Sequence, residues 1–157
     1  AYHLPLDVHP VVGNNAQLAK IMGWRVLGSF APVGLHDLVF KGELESDMAL
    51  EDLSASIAQR LNTRPLSLSA GDQPVRTIAW CTGAAQSYIE QAVEQGVDAF
   101  ISGEVSEHTY HYAKEMGIHY IAAGHHATER YGVQALGRVI ADRFGIKQEY
   151  IDIQNPV

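Results

Sequence analysis

The sequence predicts an α/β fold: a mixed, mostly parallel sheet flanked by helices, with a small α+β insertion. Three observations lead there. From Val75 onward, short apolar runs alternate with amphipathic stretches four times over, the rhythm of strand and helix in α/β architecture. Gly96, Gly117 and Gly145 each stand where a helix should stop. Between about Pro32 and Pro74, by contrast, the pattern is irregular and bounded by Pro- and Gly-containing turns. The chain therefore divides into 1–31, part of the main α/β domain; 32–74, the insertion; and 75–157, a return to the main domain.

Taken in order, Tyr2-His3-Leu4-Pro5-Leu6-Asp7 reads as a strand already under way, with Pro5 placing it at a sheet edge or at its own end. Gly13-Asn14-Asn15 caps a short helix running to about Met22, and Gly23 closes it. Trp24–Phe30 and Asp37–Leu44 have strand composition. Leu50, Leu53, Ile57 and Leu61 form one stripe of a helix closed by Asn62, and Pro65–Leu68 suits another strand. Thr77–Cys81 is a buried strand that passes through Thr82-Gly83 into a helix carrying Ile89, Ala92 and Val93. Val97–Ser102 is strand, about Ser106 to Met116 helix, and Ile118–Ala123 strand. Gly124 then opens a long helix with Val133, Leu136, Ile140 and Phe144, and a last strand is expected near Tyr150–Ile153.

Length and composition narrow the function classes. At 157 residues the chain fits one domain of about 100–200 residues with room for a sizeable core. Its charged fraction, 18%, lies below the roughly 25% usual for soluble domains, which points to surface covered in an oligomer. Eleven basic residues against 18 acidic ones, without a Lys/Arg cluster, argue against a nucleic-acid or anionic-membrane partner. No apolar run approaches the ~20 residues of a bilayer-spanning helix, and the single Cys81 excludes an internal disulfide and any thiolate cluster, so a cytoplasmic setting is expected.

In sheets of this kind ligands sit where strands turn into helices. At one such turn, Gly124-His125-His126-Ala127-Thr128-Glu129, His125 and Glu129 are four residues apart and share a helix face. An imidazole and a carboxylate converging there suit a metal ion; a helix start with a favourable acid and two solvent-facing histidines suits the same residues. In an extended opening strand His3, Pro5 and Asp7 point to one side, which makes Asp7 a third ligand candidate, or simply part of a polar strand edge. The Cys81–Ser87 turn lacks G-x-G-x-x-G and the Walker lysine, so Gly83 is read as a packing glycine and Cys81 as inert. Glu104 is a candidate for the same cleft but is read as an acid favoured by the helix macrodipole, and His108 and His111 as part of a surface or subunit interface. G-x-S-x-G is absent.

In one order, His3-Leu4-Pro5-Leu6-Asp7, Gly13-Asn14-Asn15, Cys81-Thr82-Gly83, Gly96 through Glu104 and Gly124-His125-His126-Ala127-Thr128-Glu129 closely resemble the YbgI-type dinuclear-metal-centre family, homologues of GTP cyclohydrolase 1 type 2. The resemblance covers the whole chain. It implies a toroidal hexamer with two divalent cations per subunit, Asp7, His125 and Glu129 as metal ligands with Glu129 bridging, and His3 near enough to support a ligand from behind or to transfer a proton. It also implies an earlier α/β half ending in His-His-Gly; 75–157 then reads as the second repeat and the chain as a C-terminal portion, inactive by itself. The ligand set is O and N only, compatible with Zn²⁺, Mn²⁺, Fe²⁺, Ni²⁺ or Mg²⁺. The expected activity is metal-dependent hydrolysis of a purine nucleotide, GTP cyclohydrolase-like. The alternative is a hexameric metal-binding scaffold or adaptor without turnover.

Overall fold

Strand residues of period two sort the core into two layers, one on each face of a single sheet. In the computed structural model, which describes residues 3–33, 36–153 and 155, Ile78, Trp80, Ala99, Ile101 and Ile121 face one way, and Ala79, Cys81, Phe100, Tyr120 and Ala122 the other. The elements run α1 (Leu4–Asp7), α2 (Asn14–Met22), β1 (Arg25–Val33), β2 (His36–Met48), α3 (Leu50–Leu61), β3 (Leu66–Leu68), β4 (Val75–Cys81), α4 (Ile89–Glu94), β5 (Ala99–Ser102), α5 (Glu107–Met116), β6 (His119–Ala122), α6 (His125–Glu129) and α7 (Tyr131–Phe144).

The six strands lie in the order β1-β2-β4-β5-β6-β3. β4, β5 and β6 are parallel; β2 and β3 flank them antiparallel, and β1 pairs antiparallel with β2 at the outer edge. The sheet is mixed, as expected, and its parallel centre is the regularly alternating part of the sequence. Residues 32–74 supply β2, α3 and β3, and both of those strands belong to the same sheet. Helices α2 and α3 cover the face built around Trp80, which packs against Trp24 and Phe40 at ring-centroid distances of 5.2 and 5.9 Å. Helices α4 and α5 cover the other, through Ile89, Ala92 and Ala113.

Three sequence expectations are corrected. The opening segment is a helical turn, not a strand: the His3 carbonyl accepts from Leu6 N at 2.8 Å and Asp7 N at 3.2 Å. Pro5 fits because the first turn of a helix has no use for its missing N–H. Tyr2 lies outside the described residues. The helix after Gly124 is two helices, α6 and α7, meeting at Arg130. Gly132 N, at the start of α7, donates to the Asn14 side chain at 2.7 Å, an anchor from a distant part of the chain. What α7 buries is Gly132 and Ala135; Val133, Ile140 and Phe144 face outward. Finally, residues 150–153 form no strand. Ile151 and Ile153 are 75% and 74% exposed, and since these residues pair with no strand among the described residues, their apolar alternation makes no sheet. Asp152 is held instead by Arg130, at 3.3 Å.

Candidate metal centre

The carboxyl ends of β4, β5 and β6 are tied together by main-chain bonds and two hydroxyls. Gly103 N donates to Gly83 O at 2.9 Å, Gly124 N donates to Gly103 O at 2.9 Å, and Ser102 Oγ donates to Gly83 O at 3.1 Å. Gly83 N in turn donates to Thr128 Oγ1 on α6 at 3.1 Å. Gly83 has φ +70°, and a Cβ there would collide with Glu129 Oε1. At Gly103 a Cβ would stand 2.7 Å from Gly83 O and 2.9 Å from His125 Cα. Both glycines therefore make room for the functional side chains, and the packing role first read for Gly83 is a part of the site.

Onto this base α1 and α6 bring their side chains. Donor atoms of His3, Asp7 and Glu129 lie within 4.8 Å of one another. His3 Nε2 is 3.8 Å from Asp7 Oδ2, an i,i+4 pair on the α1 turn. His125 Nε2 is 3.0 Å from Glu129 Oε2, and His125 Nδ1 is 2.7 Å from Glu104 Oε1. All four residues singled out in the sequence thus converge. His3 belongs to the tight donor group itself, while His125 joins through Glu129.

Sequence reasoning missed the supports. Asn14 donates to Asp7 Oδ1 at 2.7 Å and accepts from Gly132 N at 2.7 Å, linking α1, α2 and α7. Asn15 donates to Leu38 O at 2.8 Å and accepts from Thr82 N at 3.0 Å, fixing the β4 exit. Both asparagines are buried, and a buried amide side chain needs such partners. The Gly-Asn-Asn run carried the signal, but as a helix cap it was already explained. Glu104 does face the cleft, and His108 and His111 are exposed, away from it.

The electrostatics suit a cation. Asp7 is 4% exposed. Burial pushes its carboxyl above the ordinary range, against the hydrogen bond from Asn14. Burial likewise raises Glu129, and the nearby Asp7 charge adds to it. His125 is driven the other way by burial, but its bond to Glu104 and the charge of Glu129 prevail and raise its pKa. Two carboxylates strained against each other beside two imidazoles form a hard O/N donor set, which fits a divalent cation of the zinc or manganese kind. Cys81, by contrast, is buried with its thiol pushed up to about 12, inert as expected.

Residues 1–156 match the model of the Duf34/NIF3 (NGG1p interacting factor 3) family. The chain belongs to that family. It is 54% identical over 156 residues to a GTP cyclohydrolase 1 type 2 homolog of Pseudomonas aeruginosa and 48% identical over 159 residues to one of Vibrio cholerae, covering 99% and 100% of this chain. Of those relatives' own length the chain spans 62% and 63%. Among solved structures, the protein ybgI superimposes with a TM-score of 0.93 at 47% identity, over 100% of this chain and 62% of that one. TTHA1606 from Thermus thermophilus gives 0.84 at 30% identity, over 100% and 61%. The Duf34/NIF3 chain thus shares its mixed sheet with ybgI, and the resemblance read from its motifs holds. Among the described residues no helix is long and apolar enough to cross a membrane.

Proposed function

We propose that this Duf34/NIF3 chain contributes a divalent-metal centre, built on Asp7, His125 and Glu129 with His3, to a hydrolase that acts on a purine nucleotide in the manner of a GTP cyclohydrolase. The observation that carries the reading is the convergence of His3, Asp7 and Glu129 donors within 4.8 Å at the carboxyl ends of parallel strands. The names of its relatives, GTP cyclohydrolase 1 type 2 homologs, support the substrate class. Divalent cations held by Asp7, His125, Glu129 and His3, two of them in the intact subunit on this reading, would supply a water acidified toward neutral pH and a positive field for charge developing on the substrate.

The protein's own residues do the rest. Glu104 accepts from His125 Nδ1 and leaves Nε2 turned to the carboxylates, the orientation a ligand imidazole needs. Asn14 aims Asp7, and its hydrogen bond favours the ionised carboxylate against the effect of burial. His3, largely exposed beside Asp7, is placed to pass protons between the centre and solvent. The reading includes a homo-oligomer, a toroidal hexamer, and the outward apolar face of α7, with Val133, Val139, Ile140 and Phe144, supports contact between copies. The test is Mn²⁺ or Zn²⁺ titration of the intact protein and of Glu129→Ala, followed by an assay for GTP ring opening. The expected result is metal binding and turnover in the wild type and loss of both in the variant. A metal-loaded wild type as inert toward purine nucleotides as the variant, with the assembly intact, would refute the enzyme and leave the scaffold.

A further inference from the structure

An open cleft of about 930 Å³ lies beside the candidate metal centre, with Asn62, Thr63, Arg64, Gly103, Glu104 and Gly124 in its lining. Its position follows from the chain. Asn62 ends α3 in the left-handed region, at φ 52°, and turns the chain away from the helix axis. Pro65 holds Arg64 extended. β3 then pairs antiparallel with β6, with Leu66 opposite Ala122, the last residue of that strand. Thr63 and Arg64 are thereby carried past the carboxyl end of β6, onto the same rim as Gly124 and the metal centre.

The charges along this rim are unequal. Asp7, Glu104 and Glu129 crowd one end, in a chain whose formal charge is −7. Arg64 supplies positive charge in the cleft lining and, among the described residues, is engaged in no ion pair. Arg130, the arginine of the adjoining hollow beside His125 and Glu129, is held by Asp152 and the Leu61 carbonyl. An unengaged guanidinium with an amide and a hydroxyl beside it is the donor arrangement that takes a phosphate, two N–H groups at a time.

We infer that the Asn62–Arg64 turn is a phosphate-binding wall, with Arg64 anchoring the phosphate group of a ligand whose other end reaches Glu104 and the metal centre. The inference rests on the nucleotide chemistry proposed above and assigns the recognition of its phosphates. An anchor remote from the reacting atoms lends its binding energy to their positioning. It also confers a preference for phosphorylated over unphosphorylated forms of the same molecule.

The test is calorimetric titration of the intact protein, treated with EDTA so that no cation contributes, using GTP, guanosine and tripolyphosphate on the wild type, Arg64→Ala and Arg64→Lys. Arg64→Ala should weaken GTP and tripolyphosphate about ten- to a hundredfold, the range of a charge-assisted contact. Arg64→Lys should recover part of the loss, because it restores the charge without the fork. Guanosine should respond to neither substitution. Arg64 is exposed, so both variants should keep the wild-type circular dichroism. GTP affinity unchanged in Arg64→Ala, an equal loss for guanosine, or no detectable GTP binding would each overturn the inference. Failure of the metal reading shows separately, as absent Mn²⁺ binding by the untreated wild type.

Discussion

Asn14 is the residue on which the candidate centre leans most, and its removal can be worked through. Asn14→Ala deletes two buried hydrogen bonds of 2.7 Å, one to Asp7 Oδ1 and one from Gly132 N. A net contribution of about 1 kcal/mol for the backbone bond and about 1.5–3 for the bond to a carboxylate gives a loss of roughly 3 kcal/mol, with more if the orphaned groups find no water. In a chain of 157 residues that corresponds to a fall in Tm of about 6–12 °C. The carboxyl of Asp7, already raised by burial, loses a hydrogen bond that opposed the rise. Its ionised form becomes scarcer, and metal affinity should drop about ten- to a hundredfold, the usual effect of losing a partner behind a ligand. Urea denaturation followed by circular dichroism measures the first effect, and Mn²⁺ titration the second. A stability loss below about 1 kcal/mol together with unchanged metal affinity would show that Asn14 does not support Asp7, and the reasoning would fall.

Other predictions concern groups away from the centre. Burial tends to raise Asp98, but hydrogen bonds from Thr77 N at 2.7 Å, Thr77 Oγ1 at 2.8 Å and Arg76 N at 3.0 Å outweigh it, so the carboxyl titrates below its ordinary value. A carboxylate depressed in the folded state adds stability above its unfolded pKa of about 3.9 and loses it as pH falls through the folded value. Wild type should therefore exceed Asp98→Ala in denaturation midpoint at pH 7, and the gap should narrow in acid below pH ~4; a gap that widens in acid contradicts the assignment. Cys81, 2% exposed and with its pKa pushed up to about 12, should resist a thiol reagent at pH 8 in the native protein and react at once in urea. Rapid native labelling would mean that the strand opens locally.

The parallel centre of the sheet and the exits of β4, β5 and β6 were legible because short, continuously apolar runs end in glycine-bearing turns, and that signal is local. Gly23, Gly117 and Gly145 likewise close α2, α5 and α7 in the left-handed conformation, with φ between 64° and 72°. The opening segment misled for an equally local reason. In the span His3–Asp7 the same residues satisfy an edge strand and a single helical turn, and only the docking of Asp7 onto Asn14 decides between them. Both geometries bring His3 and Asp7 to one side, so the site residues survived an incorrect secondary structure. The break at Arg130 could not be read locally, since its anchor at Asn14 is 118 residues from Gly132. Glu104 was ambiguous for a related reason: an acid at the head of a helix is already favoured there, and its contact with His125 spans 21 residues.

The glycine ladder beneath the centre has a consequence for how such a site can diversify. Gly83 and Gly103 present bare main chain to Glu129 and His125 above them, bonded crosswise from strand to strand, and any side chain there would displace those residues. A platform of that kind has no rotamers to vary and cannot be retuned by point substitution without dismantling the centre. New specificities would have to be written in the surrounding loops, with the turn at Asn62–Arg64 the nearest to hand, while the chemistry underneath stays fixed.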